Sequence, residues 1–221
     1  MLKERFLRIG EVLDRRQPDL TVLMERVNKP HNFSAILRNC DAVGILEVHA
    51  VVPEGGLTSD PTTSAGTDRW IQLRRHEDGV SAVRALQEGG FQVIAADLGP
   101  GSVDYREIDY TRPTALLMGA ELYGVSEDAL RAADRSVHIP MVGMARSLNV
   151  SVATAILLYE AFRQREGAGM YAACRLDPEQ RSRLVFEWGY PDIARYLKEQ
   201  GHPRPELDDE GQIVGDVRLP T

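Results

Sequence analysis

The sequence is poor in the residues that build cross-linked or metal-stapled folds. Two cysteines, Cys40 and Cys174, occur in 221 residues, and their separation is not that of a metal-ligand pair. This excludes a disulfide-built extracellular scaffold and a cysteine-type zinc site, and it points to a reducing, cytoplasmic setting. The five histidines are scattered, so no metal is expected. No apolar run approaches the ~18 residues of a membrane span, and the first residues, MLKERFLRIGEVLDRRQ, are too charged for a signal peptide. No membrane partner is expected. Neither GxGxxG nor GxxxxGK[ST] follows an apolar run, which argues against the common dinucleotide and P-loop sites. There is no internal repeat. Net positive charge is also missing: 26 Lys and Arg stand against 33 Asp and Glu, a formal net charge of -7. That balance argues against nucleic acid until its distribution is read. Residues 1–40 carry net +3, 41–157 net -7, 158–204 net +1 and 205–221 net -4. The acid lies in the middle and at the end, and the two flanks leave room for a basic face.

What is present is ordinary globular material, 43% hydrophobic and 27% charged. Residues 2–16 place Leu2, Phe6, Ile9, Val12 and Leu13 at helical spacing. A buried strand is expected over 20–27. Next comes a helix with Asn32 as a plausible N-cap and Gly44 just past its end. Strands are expected at 47–53, 70–73, 91–96, 114–119 and 137–141, and an amphipathic helix at 79–88. Residues 55–68 read as a polar loop and 97–112 as irregular. Ser126, followed by Glu127 and Asp128, opens a short helix with its acids at the positive end. Strands and helices therefore alternate, and the strands are short and nearly continuously apolar. That pattern specifies an α/β fold, a parallel sheet with helices on both faces. After residue 167 the character changes. Asp177-Pro178-Glu179-Gln180 reads as a capped helix start, a second helix follows over 191–200, and residues 202–221 read as a loose acidic tail.

Within this frame the run IPMVGMARSLNVSVATAILLYE, residues 139–160, carries the most information. A strand delivers a polar loop with Arg146, Ser147 and Asn149, and a long apolar helix leaves from Ser147 or Asn149. Either residue makes a good N-cap. The same loop, at the carboxyl end of a strand and the amino end of a helix, is also where open α/β sheets bind ligands.

Three segments stand together in order: NFSAILR (32–38), LLMGAELYGVS (116–126) and the run just described. They resemble the three motifs of the SpoU branch of the SPOUT RNA 2′-O-methyltransferases. The flanks RRQPDLTVLME, DYREIDYTRP and RQREGAGMY look like those of members that act on tRNA, over nearly the whole chain. The first motif begins at residue 32, so the N-terminal substrate domain usual in ribosomal RNA members is not expected here. The resemblance implies a SPOUT fold with a C-terminal trefoil knot, something that spacing and periodicity cannot show. It also implies helical extensions at both ends. The expected organisation is an N-terminal extension (1–19), the catalytic domain (20–166), an RNA-binding helical extension (167–202) and an acidic tail (203–221).

By the same resemblance the reaction is transfer of a methyl group from S-adenosylmethionine to the ribose 2′-hydroxyl of guanosine 18 in the D-loop of tRNA. The alternative is another tRNA or rRNA nucleotide. A homodimer is implied and no metal is needed. The implied catalytic residues are Arg38, Asn32, Glu121, Ser147 and Asn149. Arg38 would either act as a base helped by a substrate phosphate or stay charged and stabilise the developing alkoxide. Asn32 would orient Arg38 or the ribose, Glu121 would position Arg38, Asn32 or the cofactor loop, and Ser147 and Asn149 would fix the third-motif loop and anchor the ribose or phosphate. Ala96, Gly119, Ile139 and Leu148 would meet the cofactor. Many relatives carry Thr where Ala96 stands, so that hydroxyl is missing here. The positions matched to tRNA contacts are Arg8, His31, Arg163 and Arg165; for the last two, favourable charge at a helix C-terminus is the competing reading.

Overall fold

A computed structural model describes residues 1–51, 69–120 and 123–215. The expected polar loop at 55–68 and the candidate Glu121 lie outside the described residues. The chain divides into two compact units, one of residues 17–170 and one of residues 1–16 with 171–221.

The larger unit is the α/β fold that the alternation specifies. Its strands are β1 (Leu20–Glu25), β2 (Glu47–Val51), β3 (Gln72–His76), β4 (Gln92–Ala96), β5 (Val103–Asp104), β6 (Thr114–Met118) and β7 (Arg135–His138). They form one sheet in the order β3-β2-β1-β6-β4-β7-β5, and every pairing is parallel. Parallel strands require crossovers, and four helices supply them or follow them: α2 (Pro30–Ala42), α3 (Gly79–Glu88), α4 (Glu127–Ala132) and α5 (Val150–Gly167). Side-chain alternation divides the central strands between two cores. Val22 and Met24 of β1, Leu116 and Met118 of β6 and Ile94 of β4 pack with Phe33, Ile36 and Leu37 of α2 and Leu157 and Leu158 of α5. Leu23, Leu117, Val93 and Ala95 point the other way, onto Ala82, Val83 and Leu86 of α3 and Ala129 of α4.

Several boundaries differ from the sequence expectation. β3 runs through Gln72-Leu73-Arg74-Arg75-His76 rather than ending at 73; an edge strand keeps a wet face, so its polar residues do not mark its end. β7 begins earlier, at Arg135, and stops at His138. Its register with β4 pairs Arg135 with Ile94 and Val137 with Ala96, so pairing geometry rather than hydrophobicity sets its span. The stretch read as irregular contains β5, two residues paired with β7. Asn32 is not an N-cap: α2 starts at Pro30 behind Lys29, and Pro at the first position suits a helix start. Gly44 does sit just past the end of α2, at φ +83°.

In the smaller unit α1 (Lys3–Asp14) packs on α6 (Pro178–Gly189), which leads to α7 (Pro191–Gln200). Arg181 forks onto both carboxylate oxygens of Asp14, at 2.6 and 3.1 Å, and holds that carboxyl below its ordinary range. Asp177 caps α6 by accepting from the backbone N–H groups of Glu179 and Gln180. The described part of the tail is not loose. Leu207 and Ile213 bridge antiparallel, and the Asp208 carboxylate accepts from the N–H groups of Glu210 and Gln212 at 2.9 and 2.8 Å. Gly211, at φ +76°, lies so close to Phe6 that a Cβ would stand 2.5 Å from its ring. The acidic side chain that suggested disorder is thus what closes the turn. No described helix is long and apolar enough to cross a membrane.

Candidate active site

The carboxyl ends of the neighbouring strands β6, β4 and β7 open into a cavity of about 380 Å³. Each strand contributes the loop that follows it, and the amino end of α5 closes one side. Four residues singled out from sequence for cofactor contact, Ala96, Gly119, Ile139 and Leu148, all line this cavity, and so does Ser147. They reach it from three separate loops because a parallel sheet gathers its carboxyl ends on one side.

The loop after β6 folds back on itself. The Ala120 N–H donates to the Gly124 carbonyl at 3.0 Å and the Gly124 N–H to the Ala120 carbonyl at 2.8 Å. The turn needs two glycines for different reasons. Gly124 adopts φ +66°. Gly119 has no room for a side chain, since a Cβ would stand 2.0 Å from the Gly124 carbonyl carbon. Residues 141–149 form a largely exposed loop without regular structure, in which Val142 and Met144 are fully exposed.

Of the two residues offered as the cap of the helix that follows, Asn149 takes the part. It is the N-cap of α5, accepting with Oδ1 from Ser151 N–H at 2.8 Å and Ser151 Oγ at 2.6 Å. Its Nδ2 donates to Oδ1 of buried Asn32 at 3.2 Å. This side-chain link joins the first and third motifs, and Asn39 adds a second tie from α2 by donating to the Ser151 carbonyl at 2.9 Å. Arg38 lies further along α2 and is exposed, and no side-chain hydrogen bond or ion pair joins its guanidinium to another described residue. His31 is exposed on the first turn of the same helix. The structure therefore brings together Asn32, Asn149 and the cavity-lining set. It does not tie Arg38 to them.

The arginines matched to RNA contacts separate into two kinds. Arg163 is exposed and pairs with Glu160 at 2.7 and 2.9 Å; Arg8, in the smaller unit, is exposed beside Glu11 at 3.3 Å. Surface pairs of this kind contribute little, so either guanidinium is free to exchange its carboxylate for a phosphate. Arg165 is different, and its assignment to RNA is corrected here. It is fully buried, and all five N–H donors are taken: by Tyr110 O (2.8 Å), Gln17 Oε1 (3.1 Å), Asp19 Oδ1 (2.6 Å), Asp19 O (3.0 Å) and Arg112 O (3.0 Å). No donor remains for a phosphate.

Two titratable residues on the cavity wall, Asp97 and His138, were not singled out from sequence, and a third, Arg146, was noted there as a polar loop residue without a role. Asp97 follows β4 and accepts from Gly99 N–H at 2.8 Å. His138 ends β7 with Nδ1 3.0 Å from Ser102 Oγ. Its register partner on β5, Asp104, is held down at about 2, first by hydrogen bonds from the Arg106 side chain. Their position next to the second and third motifs was the available signal, but which strand ends meet depends on sheet order. Among the described residues no group of His, Cys, Asp and Glu is placed to hold a metal ion.

Comparison with known proteins gives a concordant result. Residues 19–159 match the SpoU rRNA Methylase family, and residues 163–216 match a second segment described as SpoU, rRNA methylase, C-terminal. The tRNA (guanosine(18)-2′-O)-methyltransferase of Escherichia coli K12 is 50% identical over 96% of this chain and 94% of its own length. The crystal structure of the A. aeolicus TrmH/SpoU tRNA modifying enzyme matches with a TM-score of 0.81 at 43% identity, covering 86% of this chain and 97% of that one. The AdoMet-bound rRNA methyltransferase from Sinorhizobium meliloti matches with a TM-score of 0.60 at 35% identity, over 70% of this chain and 59% of that one.

Proposed function

The chain belongs to the SpoU methylase family, and from that premise we propose that it is a tRNA (guanosine(18)-2′-O)-methyltransferase using S-adenosylmethionine. The observation that carries the proposal is the cavity. It is built from the second and third motifs, and Asn149 links it to Asn32 of the first, in a chain matching that enzyme almost end to end.

The cavity suits the cofactor. Its volume falls within the roughly 300–1,000 Å³ of small-molecule sites. Met118, Ile139 and Leu148 offer an apolar bed for a flat base, and Gly119 lets the backbone approach closely. When bound, S-adenosylmethionine supplies a methyl group already activated by its sulfonium. The protein must then hold the ribose hydroxyl in line and ease loss of its proton. Arg38 fits the part of a fixed cation. A guanidinium keeps its proton, and this one is exposed on α2, where it can present its charge to a developing alkoxide or a phosphate. Asn32 and Asn149 join the first motif to the third, and Ser147 lies at the cavity wall in the same loop as Asn149. Arg8, His31 and Arg163 are exposed and available to tRNA phosphates. A second copy of the chain would cover the exposed apolar side chains Val142, Met144, Val152 and Tyr159, and the C-terminal trefoil knot of the family belongs to the same proposal.

The test is methyl transfer from labelled S-adenosylmethionine to an unmodified tRNA transcript and to its G18→A counterpart, with sedimentation of the protein at twice the chain mass as the check on the dimer. Label on the G18 transcript alone is expected. Arg38→Ala should lower transfer by at least ~10²-fold, the scale of losing one electrostatic stabiliser, while cofactor affinity stays unchanged. Equal label on both transcripts would move the target nucleotide and leave the enzyme class intact.

A further inference from the structure

On the reading of the cavity as the S-adenosylmethionine site, we propose that Glu25 is a positioning residue for the cofactor loop, holding the loop after β6 in its binding conformation through Ser126. Glu25 ends β1 and is 3% exposed. Its carboxylate makes no ion pair among the described residues. Instead it takes both donors of one serine, 2.7 Å from the Ser126 N–H and 2.7 Å from Ser126 Oγ. A buried carboxylate without a cation is costly, and two charge-assisted hydrogen bonds offset only part of that cost. An apolar residue at the end of a central strand is the cheaper choice for stability alone.

The local packing shows what the carboxylate governs. Gly79, the first residue of α3, has no space for a side chain: a Cβ would stand 2.4 Å from Glu25 Oε1 and 3.1 Å from Ala129 Cβ. β1, α3 and α4 therefore converge on this one group. Ser126 caps α4 through the Ala129 N–H, so its hydroxyl is held from both sides. One residue earlier, the Val125 nitrogen lies 2.1 Å from where a Gly119 Cβ would be, and Gly119, Ala120 and Gly124 all line the cavity. Fixing Ser126 thus fixes the gap through which the loop after β6 meets the cavity. A cap for α4 needs only the serine; the buried carboxylate beneath it sets where that serine stands. The next residue, Arg26, is held at φ +56° as the chain turns toward α2 and Asn32. Glu25 therefore lies between the elements that carry the first and second motifs.

The experiment compares wild type, Glu25→Gln, Ser126→Ala and Leu23→Ala. It measures S-adenosylmethionine affinity by calorimetry, amide exchange at Ala120 and Gly124 in cofactor-free protein, and thermal stability. The glutamine keeps the shape but can accept at only one atom. It is expected to weaken the cofactor about tenfold, the equivalent of one charge-assisted hydrogen bond. It should also speed exchange of the two turn amides. Ser126→Ala keeps its N–H and should show a smaller change of the same kind, a readout that survives if Glu25→Gln folds poorly. Leu23→Ala, buried on the same strand, should lower the melting temperature without either effect. Wild-type affinity and wild-type exchange in Glu25→Gln would overturn the proposal. So would Leu23→Ala reproducing both changes, since the effect would then be general destabilisation. If wild type itself binds no S-adenosylmethionine, the reading of the cavity falls and the proposal falls with it.

Discussion

Arg163 and Arg165 are two residues apart, of one type, near one end of one helix, and the structure gives them opposite surroundings. Nothing in the local sequence distinguishes them. On a helix, residues two apart face about 200° from each other, so one reaches solvent while the other is driven toward the sheet. Arg165→Ala is expected to destabilise the protein by about 3 kcal/mol or more, because it removes a buried cation that satisfies three backbone carbonyls and contributes a hydrogen bond to the Asp19 carboxylate. Its effect on methylation should follow the loss of folded protein seen by chemical denaturation. Arg163→Ala should leave stability within about 0.5 kcal/mol, since its pair with Glu160 is a surface pair. It should weaken tRNA binding and reduce the salt dependence of that binding by about one phosphate contact. Equal loss of tRNA affinity in both folded variants would restore Arg165 to the RNA surface.

At the scale of elements, the site is three loops and one helix start, and the tightest approach among them, at Gly119 and Gly124, is a backbone one. Gly119→Ala is the sharpest probe. The new Cβ would overlap Gly124 and Val125 backbone atoms, so the 120–124 turn must open. Loss of measurable S-adenosylmethionine binding is expected, with the sheet intact by circular dichroism, because the overlap lies beyond the end of β6. Normal cofactor affinity in this variant would place the site elsewhere. The capped starts of α4, α5 and α6 were legible because Ser126, Asn149 and Asp177 are strong caps with helix formers behind them. The start of α2 was not. Asn32 is as good a cap as Asn149 in isolation, but Pro30 already fixes the helix two residues earlier, and Asn32 is turned inward to meet Asn149.

At the scale of the molecule, one buried tyrosine of the larger unit bears on how stability responds to alkaline pH. Tyr110 is fully buried, its hydroxyl donating to the Tyr105 carbonyl at 3.0 Å, and burial pushes its phenol above the ordinary value of 10.0. A raised folded pKa means that the folded state holds its proton more tightly than the unfolded chain. The associated stability is therefore complete below pH 10 and is lost as pH rises above it. Denaturation midpoints should fall between about pH 10 and 11 in wild type. Tyr110→Phe should cost about 1 kcal/mol near pH 7 through the lost hydrogen bond and should flatten that alkaline decline. An unchanged decline in Tyr110→Phe would assign it to other groups.

The sequence by itself determined the parallel α/β class, the order of elements and the three motif segments, because periodicity, caps and motif spacing are properties of neighbours along the chain. It also pointed to the lining residues Ala96, Gly119, Ile139 and Leu148, by likeness of motif. Only the tertiary structure decided that these residues share one cavity, that β5 exists as two residues paired with β7, and that Glu25 and Ser126 meet across 101 positions of chain. It alone also decided that Arg165 is interior. Burial, strand order and the partner of a charged group depend on which distant segments the sheet makes adjacent, and no local window of sequence contains that adjacency.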